Sequence, residues 1–110
     1  MCVRINGLKW NVRFVDEDDK KLVFDDEESL GVTYFSELEI FLSNRMSDEL
    51  CKQTIAHELT HAFLFSYGVH LPTDNEEAFC DFVVAYLSGI YKLTNKIIKD
   101  FKRCKEVKQQ

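Results

Sequence analysis

Proline occurs once in the 110 residues, as Pro72, and no uncharged apolar run approaches the ~18 residues that a membrane span requires. The opening Met1-Cys2-Val3-Arg4 leads into mixed polar sequence and not into a signal-peptide core, so a cytoplasmic location is expected. The four cysteines, Cys2, Cys51, Cys80 and Cys104, never form a Cys-x-x-Cys pair. That spacing suggests neither a disulfide framework nor a Cys-rich zinc knuckle, and the thiols read as reduced and mostly buried. With four glycines there is no Gly-rich phosphate loop, and no repeat or low-complexity tract is present. What is abundant is apolar and aromatic: 45% of residues are hydrophobic, with nine Phe, four Tyr and one Trp, which excludes a chain that never packs. The length and a net charge of −5 fit one compact domain over residues 1–110.

Charge is distributed unevenly. Residues 1–50 carry 12 acids against 6 bases, residues 51–85 carry 5 against 1, and residues 86–110 carry 2 against 7. The clusters Asp16-Glu17-Asp18-Asp19 and Asp25-Asp26-Glu27-Glu28 look like solvated turns between strands and lack the ligand spacing of a calcium loop. Leu8 to Val15 alternates apolar and polar residues as a half-buried strand does. Lys21 to Phe24 is expected to return as a second strand, and a third is expected around 33–42. Ser47 can cap a helix that Gly68 ends about twenty residues later. A second helix is expected from Asp74 to about Ser88, with Gly89 bending or ending it, and a third from about Thr94 to Val107. The expected class is therefore α+β: a small N-terminal antiparallel sheet packed on the first helix, followed by two further helices.

The first helix contains His57-Glu58-Leu59-Thr60-His61. Two His four residues apart share a helix face, so both imidazoles can reach one zinc ion, and Glu58 is close enough to act as general base on a water. The neighbours Ile55, Ala56, Leu59, Ala62 and Phe63 are apolar, and ionisable groups in such surroundings are costly unless paired or metal-bound. The plain alternative is a polar stripe of Thr54, His57, Glu58 and His61 on a packed helix. A third metal ligand is sought among Glu77, Glu76 and His70. Glu77 and Asp81 are four residues apart on the second helix, where the first can ligate and the second can bond a ligating His; acids in a first helical turn also occur for electrostatic reasons alone. His70, Tyr67 and Tyr34 are weaker candidates for stabilising an oxyanion. The basic third helix reads as a solvated face, and the acidic net charge argues against a nucleic-acid partner.

Thr54-Ile55-Ala56-His57-Glu58-Leu59-Thr60-His61-Ala62-Phe63 and Glu76-Glu77-Ala78 resemble the gluzincin metallopeptidases, most closely the short ImmA/IrrE-type proteins of bacteria and phages. The resemblance implies a minimal zincin-like domain with His57, His61 and Glu77 as zinc ligands, Glu58 as general base and Asp81 behind a ligand. It also implies a protein substrate, such as a regulatory protein, cleaved as by an endopeptidase. Thr60 departs from the Gly many of these proteins have before the second His, and Phe79-Cys80-Asp81-Phe82-Val83 departs from their usual Phe-Ala. A zinc-containing regulatory binding module with little or no protease activity is the alternative.

Overall fold

Residues 1–109 are described by the computed structural model, which is α+β: a small mixed sheet at the N-terminal side followed by two helices. The chain opens with an antiparallel hairpin of β1 (Cys2–Ile5) and β2 (Leu8–Val15). Its turn is Asn6-Gly7, with φ of 48° and 80°, the left-handed pair that two-residue hairpins demand. A short 3₁₀ turn at Lys20–Leu22 leads into β3 (Val23–Phe24) and β4 (Glu27–Glu28), which form a separate two-stranded ribbon. Then come β5 (Gly31–Tyr34) and β6 (Glu39–Ser43), antiparallel neighbours. The four-stranded order is β1-β2-β6-β5, with β6 parallel to β2.

The strand expected at 8–15 is present with those bounds. The expected all-antiparallel arrangement is corrected by the β2–β6 pair, which can be parallel because residues 16–38 are long enough to cross back over the sheet. The third strand expected around 33–42 is two strands, since Leu38 adopts a φ of 55° and the chain reverses there. Lys21 to Phe24 contributes to the outlying ribbon instead of the main sheet.

Helix α1 (Asp48–Ser66) starts where Ser47 Oγ accepts the Leu50 N–H at 3.2 Å. It stops in a paired C-terminal motif: Gly68 has a φ of 70°, its N–H reaches Phe65 O at 3.1 Å and the Val69 N–H reaches Leu64 O at 2.8 Å. Helix α2 runs unbroken over Thr73–Gln109, so the two expected helices are one. Gly89 costs about 1 kcal/mol against Ala in a helix interior. No proline follows it, and a single Gly within a helical pattern is tolerated, so the helix continues. No helix among the described residues is long and apolar enough to cross a membrane. The four cysteines are unbridged, but against the expectation of mostly buried thiols only Cys80 is buried, Cys2 and Cys104 being exposed and Cys51 partly so.

The core consists of Ile5, Trp10, Ile40, Leu42 and Ala62, which join the sheet to α1. Trp10 is fully buried, and its indole N–H donates to Ser66 Oγ at 2.8 Å, while Asn6 Nδ2 donates to Ser66 O at 2.9 Å. The first hairpin is thereby pinned to the last turn of α1. At the other end Gly31 of β5 lies so close to α1 that an added Cβ would stand 2.9 Å from Thr54 Cγ2 and 3.0 Å from Glu58 Cγ. In Gly31→Ala either β5 or the Thr54 and Glu58 side chains must give way, and overpacking of this kind costs about 1–3 kcal/mol. A lower midpoint in urea unfolding is the expected result; a variant as stable as the parent would mean that β5 shifts without cost.

Candidate metal centre

Successive residues on a helix are 100° apart, so His57 and His61 project together from α1 while Glu58 points elsewhere. Glu58 turns toward the sheet and is 7% exposed. Thr33 of β5, itself buried, donates its hydroxyl to Glu58 Oε1 at 2.8 Å. Burial pushes the Glu58 carboxyl above its ordinary range, and Glu77 adds to the shift; the Thr33 hydrogen bond and the two imidazoles pull the other way.

The imidazoles face α2. His57 Nε2 lies 3.1 Å from Glu77 Oε2, and His61 Nε2 lies 2.9 Å from Glu77 Oε1, so one carboxylate bridges the two rings. Their remaining nitrogens have separate partners: His57 Nδ1 is 3.2 Å from Asp81 Oδ1, and His61 Nδ1 contacts Glu76 Oε2. Spacing on α2 makes this possible: Glu77 and Asp81, four residues apart, share the side packed against α1, and Glu76, 100° round the helix from Glu77, reaches the other nitrogen of His61. The sequence-derived candidates His57, His61, Glu77 and Asp81 are thus gathered at one point, with Glu58 next to them on the sheet-facing side of α1. Glu76, weighed above as a ligand, contacts His61 through Nδ1.

The charge of the cluster bears on what it can hold. Four carboxylates, Glu58, Glu76, Glu77 and Asp81, surround two imidazoles, an excess of negative charge even with both rings protonated. A neutral imidazole that donates from Nδ1 to a carboxylate presents a lone pair at Nε2. Both Nε2 atoms then aim at an anionic carboxylate, an arrangement that a divalent cation would turn from repulsive to attractive. The donor set therefore fits a metal ion.

Cys80 was not singled out from the sequence. It is fully buried on α2, and one ligand atom each of His57, His61 and Cys80 lie within 4.8 Å of one another, a group that could also hold a metal. Its only signal in the sequence was its position, three residues after Glu77 and so on the same helical side. Burial, followed by the charges of Glu77, Glu76, Glu58 and Asp81, pushes the thiol up to about 12, so without a cation it is a neutral and weak donor. Thr33 was also missed, since nothing local to a strand announces which helix side chain it will meet.

The cluster opens on a cleft of about 640 Å³ with Gly31, Val32 and Thr33 along one side and Phe24, Phe35 and Phe65 among its apolar walls. His70 lies on the cleft wall outside the ligand cluster. Tyr67 and Tyr34 do not line it: Tyr67 stacks on Phe63, and the Tyr34 hydroxyl donates to Lys21 O at 2.8 Å.

No curated protein and no solved structure matches the chain. The IrrE N-terminal-like domain of the peptidase M78 family matches residues 9–86, a span that takes in β2 through the first part of α2 and every residue of the cluster. With its paired imidazoles, bridging carboxylate and buried glutamate all inside the matched region, the chain belongs to the peptidase M78 family as an IrrE N-terminal-like domain.

Proposed function

We propose that this chain is a zinc-dependent endopeptidase acting on a protein substrate, with His57, His61 and Glu77 as the metal ligands and Glu58 as the general base. The observation that carries the reading is the convergence of both imidazole Nε2 atoms on the two oxygens of Glu77. Zinc is the ion suited to two imidazoles and a carboxylate, and when bound it supplies Lewis acidity and lowers the pKa of a bound water toward ~7. Asp81 and Glu76 orient the rings by accepting from Nδ1, which keeps Nε2 free as a donor atom.

Glu58 moves the proton. Held by Thr33 and raised by burial, its carboxylate is a better proton acceptor than a solvated one; it takes a proton from the attacking water and passes it to the departing amine. β5 is an outer strand of the sheet and runs beside the cleft, so an extended peptide can add to its free edge with the scissile carbonyl near the imidazoles. The apolar walls then exclude water from the reacting bond.

About one zinc per chain is expected by elemental analysis, and it should be lost in both His57→Ala and His61→Ala. Glu77→Ala should weaken zinc binding far more than Glu76→Ala; the reverse order would make Glu76 the ligand, and a Cys80→Ala variant that loses zinc while Glu77→Ala retains it would move the site to the thiol. Asp81→Asn should keep the fold and raise the zinc dissociation constant ~10–100-fold, and an unchanged constant would leave Asp81 no part in the site.

Glu58→Gln separates catalysis from metal binding. Zinc content should stay at the parent's level while hydrolysis of a protein substrate drops by ~10²–10⁴-fold, the usual worth of a general base. Loss of the zinc would make Glu58 a ligand. A parent that binds zinc, cleaves none of a broad set of regulatory and unfolded proteins, and binds one of them equally well with Gln at 58 would replace the peptidase with a binding module.

A further inference from the structure

The peptidase scheme leaves one donor at the site without a task. Cys80 follows Glu77 by three residues on α2, which places it roughly 60° round the helix and on the same side. The two side chains differ in depth. Glu77 is 52% exposed and lines the cleft, whereas Cys80 is fully buried and does not line it. Carboxylate and thiol therefore approach the paired imidazoles from the cleft and from the interior respectively.

A buried cysteine is most often a small apolar filler. What sets Cys80 apart is its neighbours. Its Sγ, one nitrogen of His57 and one nitrogen of His61 lie within 4.8 Å of one another. Around a tetrahedral zinc, with zinc–nitrogen bonds of about 2.0–2.1 Å and a zinc–sulfur bond of about 2.3 Å, such atoms stand roughly 3.3–3.6 Å apart. A contraction of at most ~1.5 Å thus draws all three donors onto one ion. The Glu77 oxygens, 3.1 and 2.9 Å from the two Nε2 atoms, are within the same reach. Among the described residues, Cys2, Cys51 and Cys104 belong to no such group.

Charge favours the same event. Glu58, Glu76, Glu77 and Asp81 surround the thiol; they oppose a bare thiolate but attract the cation that would bind one. On coordination the S–H bond breaks, the metal–sulfur bond forms and the proton leaves to solvent.

We propose that Cys80, as a thiolate, is a further ligand of the ion held by His57, His61 and Glu77, and that this sulfur makes the site select soft, thiophilic cations. The inference rests on the metal-site reading above and adds to it a donor on the interior side. A thiolate favours ions such as zinc and cadmium, whereas carboxylate and water alone suit magnesium, calcium or manganese.

X-ray absorption at the zinc edge of the whole protein reads the donors directly. One sulfur at about 2.3 Å should stand beside nitrogen and oxygen at about 2.0–2.2 Å. A protein with Cys2, Cys51 and Cys104 all changed to Ser should keep that sulfur, which identifies Cys80 without touching it. Cys80→Ala should lose the sulfur while His57, His61 and Glu77 retain the zinc, and its ratio of cadmium to zinc affinity should fall below the parent's. Cobalt(II) gives a second reading: near-ultraviolet thiolate-to-cobalt charge transfer in the parent and in the triple-Ser protein, absent from Cys80→Ala. A zinc-loaded parent with nitrogen and oxygen neighbours alone, or a sulfur that survives Cys80→Ala, would overturn the thiolate ligand and leave the site of His57, His61 and Glu77 standing. An unchanged cadmium-to-zinc ratio would overturn the selectivity. A parent that takes up no zinc, cobalt or cadmium would overturn the metal site itself and this ligand with it.

Discussion

One turn of α1, residues 57–61, is gripped from two sides, and the rest of the structure is arranged around that grip. On one side β5 comes in close enough for Thr33 to hold Glu58, an approach that depends on Gly31 carrying no side chain. On the other side α2 presents three carboxylates to the two imidazoles. The helical rotation of 100° per residue separates the two functions. Adjacent residues in sequence, His57 and Glu58, therefore have different neighbours: one belongs to a polar cluster between helices and the other is buried against the sheet.

Burial and charge pull in opposite directions at this turn. Removing Glu58 from water raises its proton affinity, while the imidazoles beside it and the Thr33 hydroxyl favour the ionised form. Four carboxylates around two His would repel one another in a low-dielectric setting; the three on α2 are tolerated because Glu77 and Asp81 remain substantially exposed while Glu76 is matched to His61. A divalent cation, which this group of side chains could hold, would offset that excess of acid. Cys80 is buried beside His57 and His61, and burial together with the neighbouring carboxylates pushes its thiol up.

The remaining scaffold keeps α1 fixed while these forces act. Trp10 and Asn6 bind the first hairpin to Ser66, and the Ser47 cap and the Gly68 turn define where the helix starts and stops. The sheet is small, yet its parallel β2–β6 pair places β5 at the outer edge beside the cleft. An antiparallel meander of the same strands would have put a different strand there.

Much of the site was legible in the sequence because it is written in helical spacing. His57 and His61 at four residues, Glu77 and Asp81 at four residues, the Ser47 cap and the Gly68 stop are local features, and helix geometry alone converts them into positions. The strand at 8–15 is readable for the same reason, from its alternation, and the Asn6-Gly7 turn that creates β1 is a local hairpin signal of the same kind. Other features were settled only by the tertiary structure: the parallel pairing of β6, the reversal at Leu38, the continuation of α2 through Gly89, the meeting of Thr33 with Glu58, the pairing of Glu76 with His61 and the burial of Cys80 beneath them. Each of these depends on how two elements distant in the chain are rotated and how closely they approach. A local pattern specifies which residues share a face; only the packed molecule decides what that face meets.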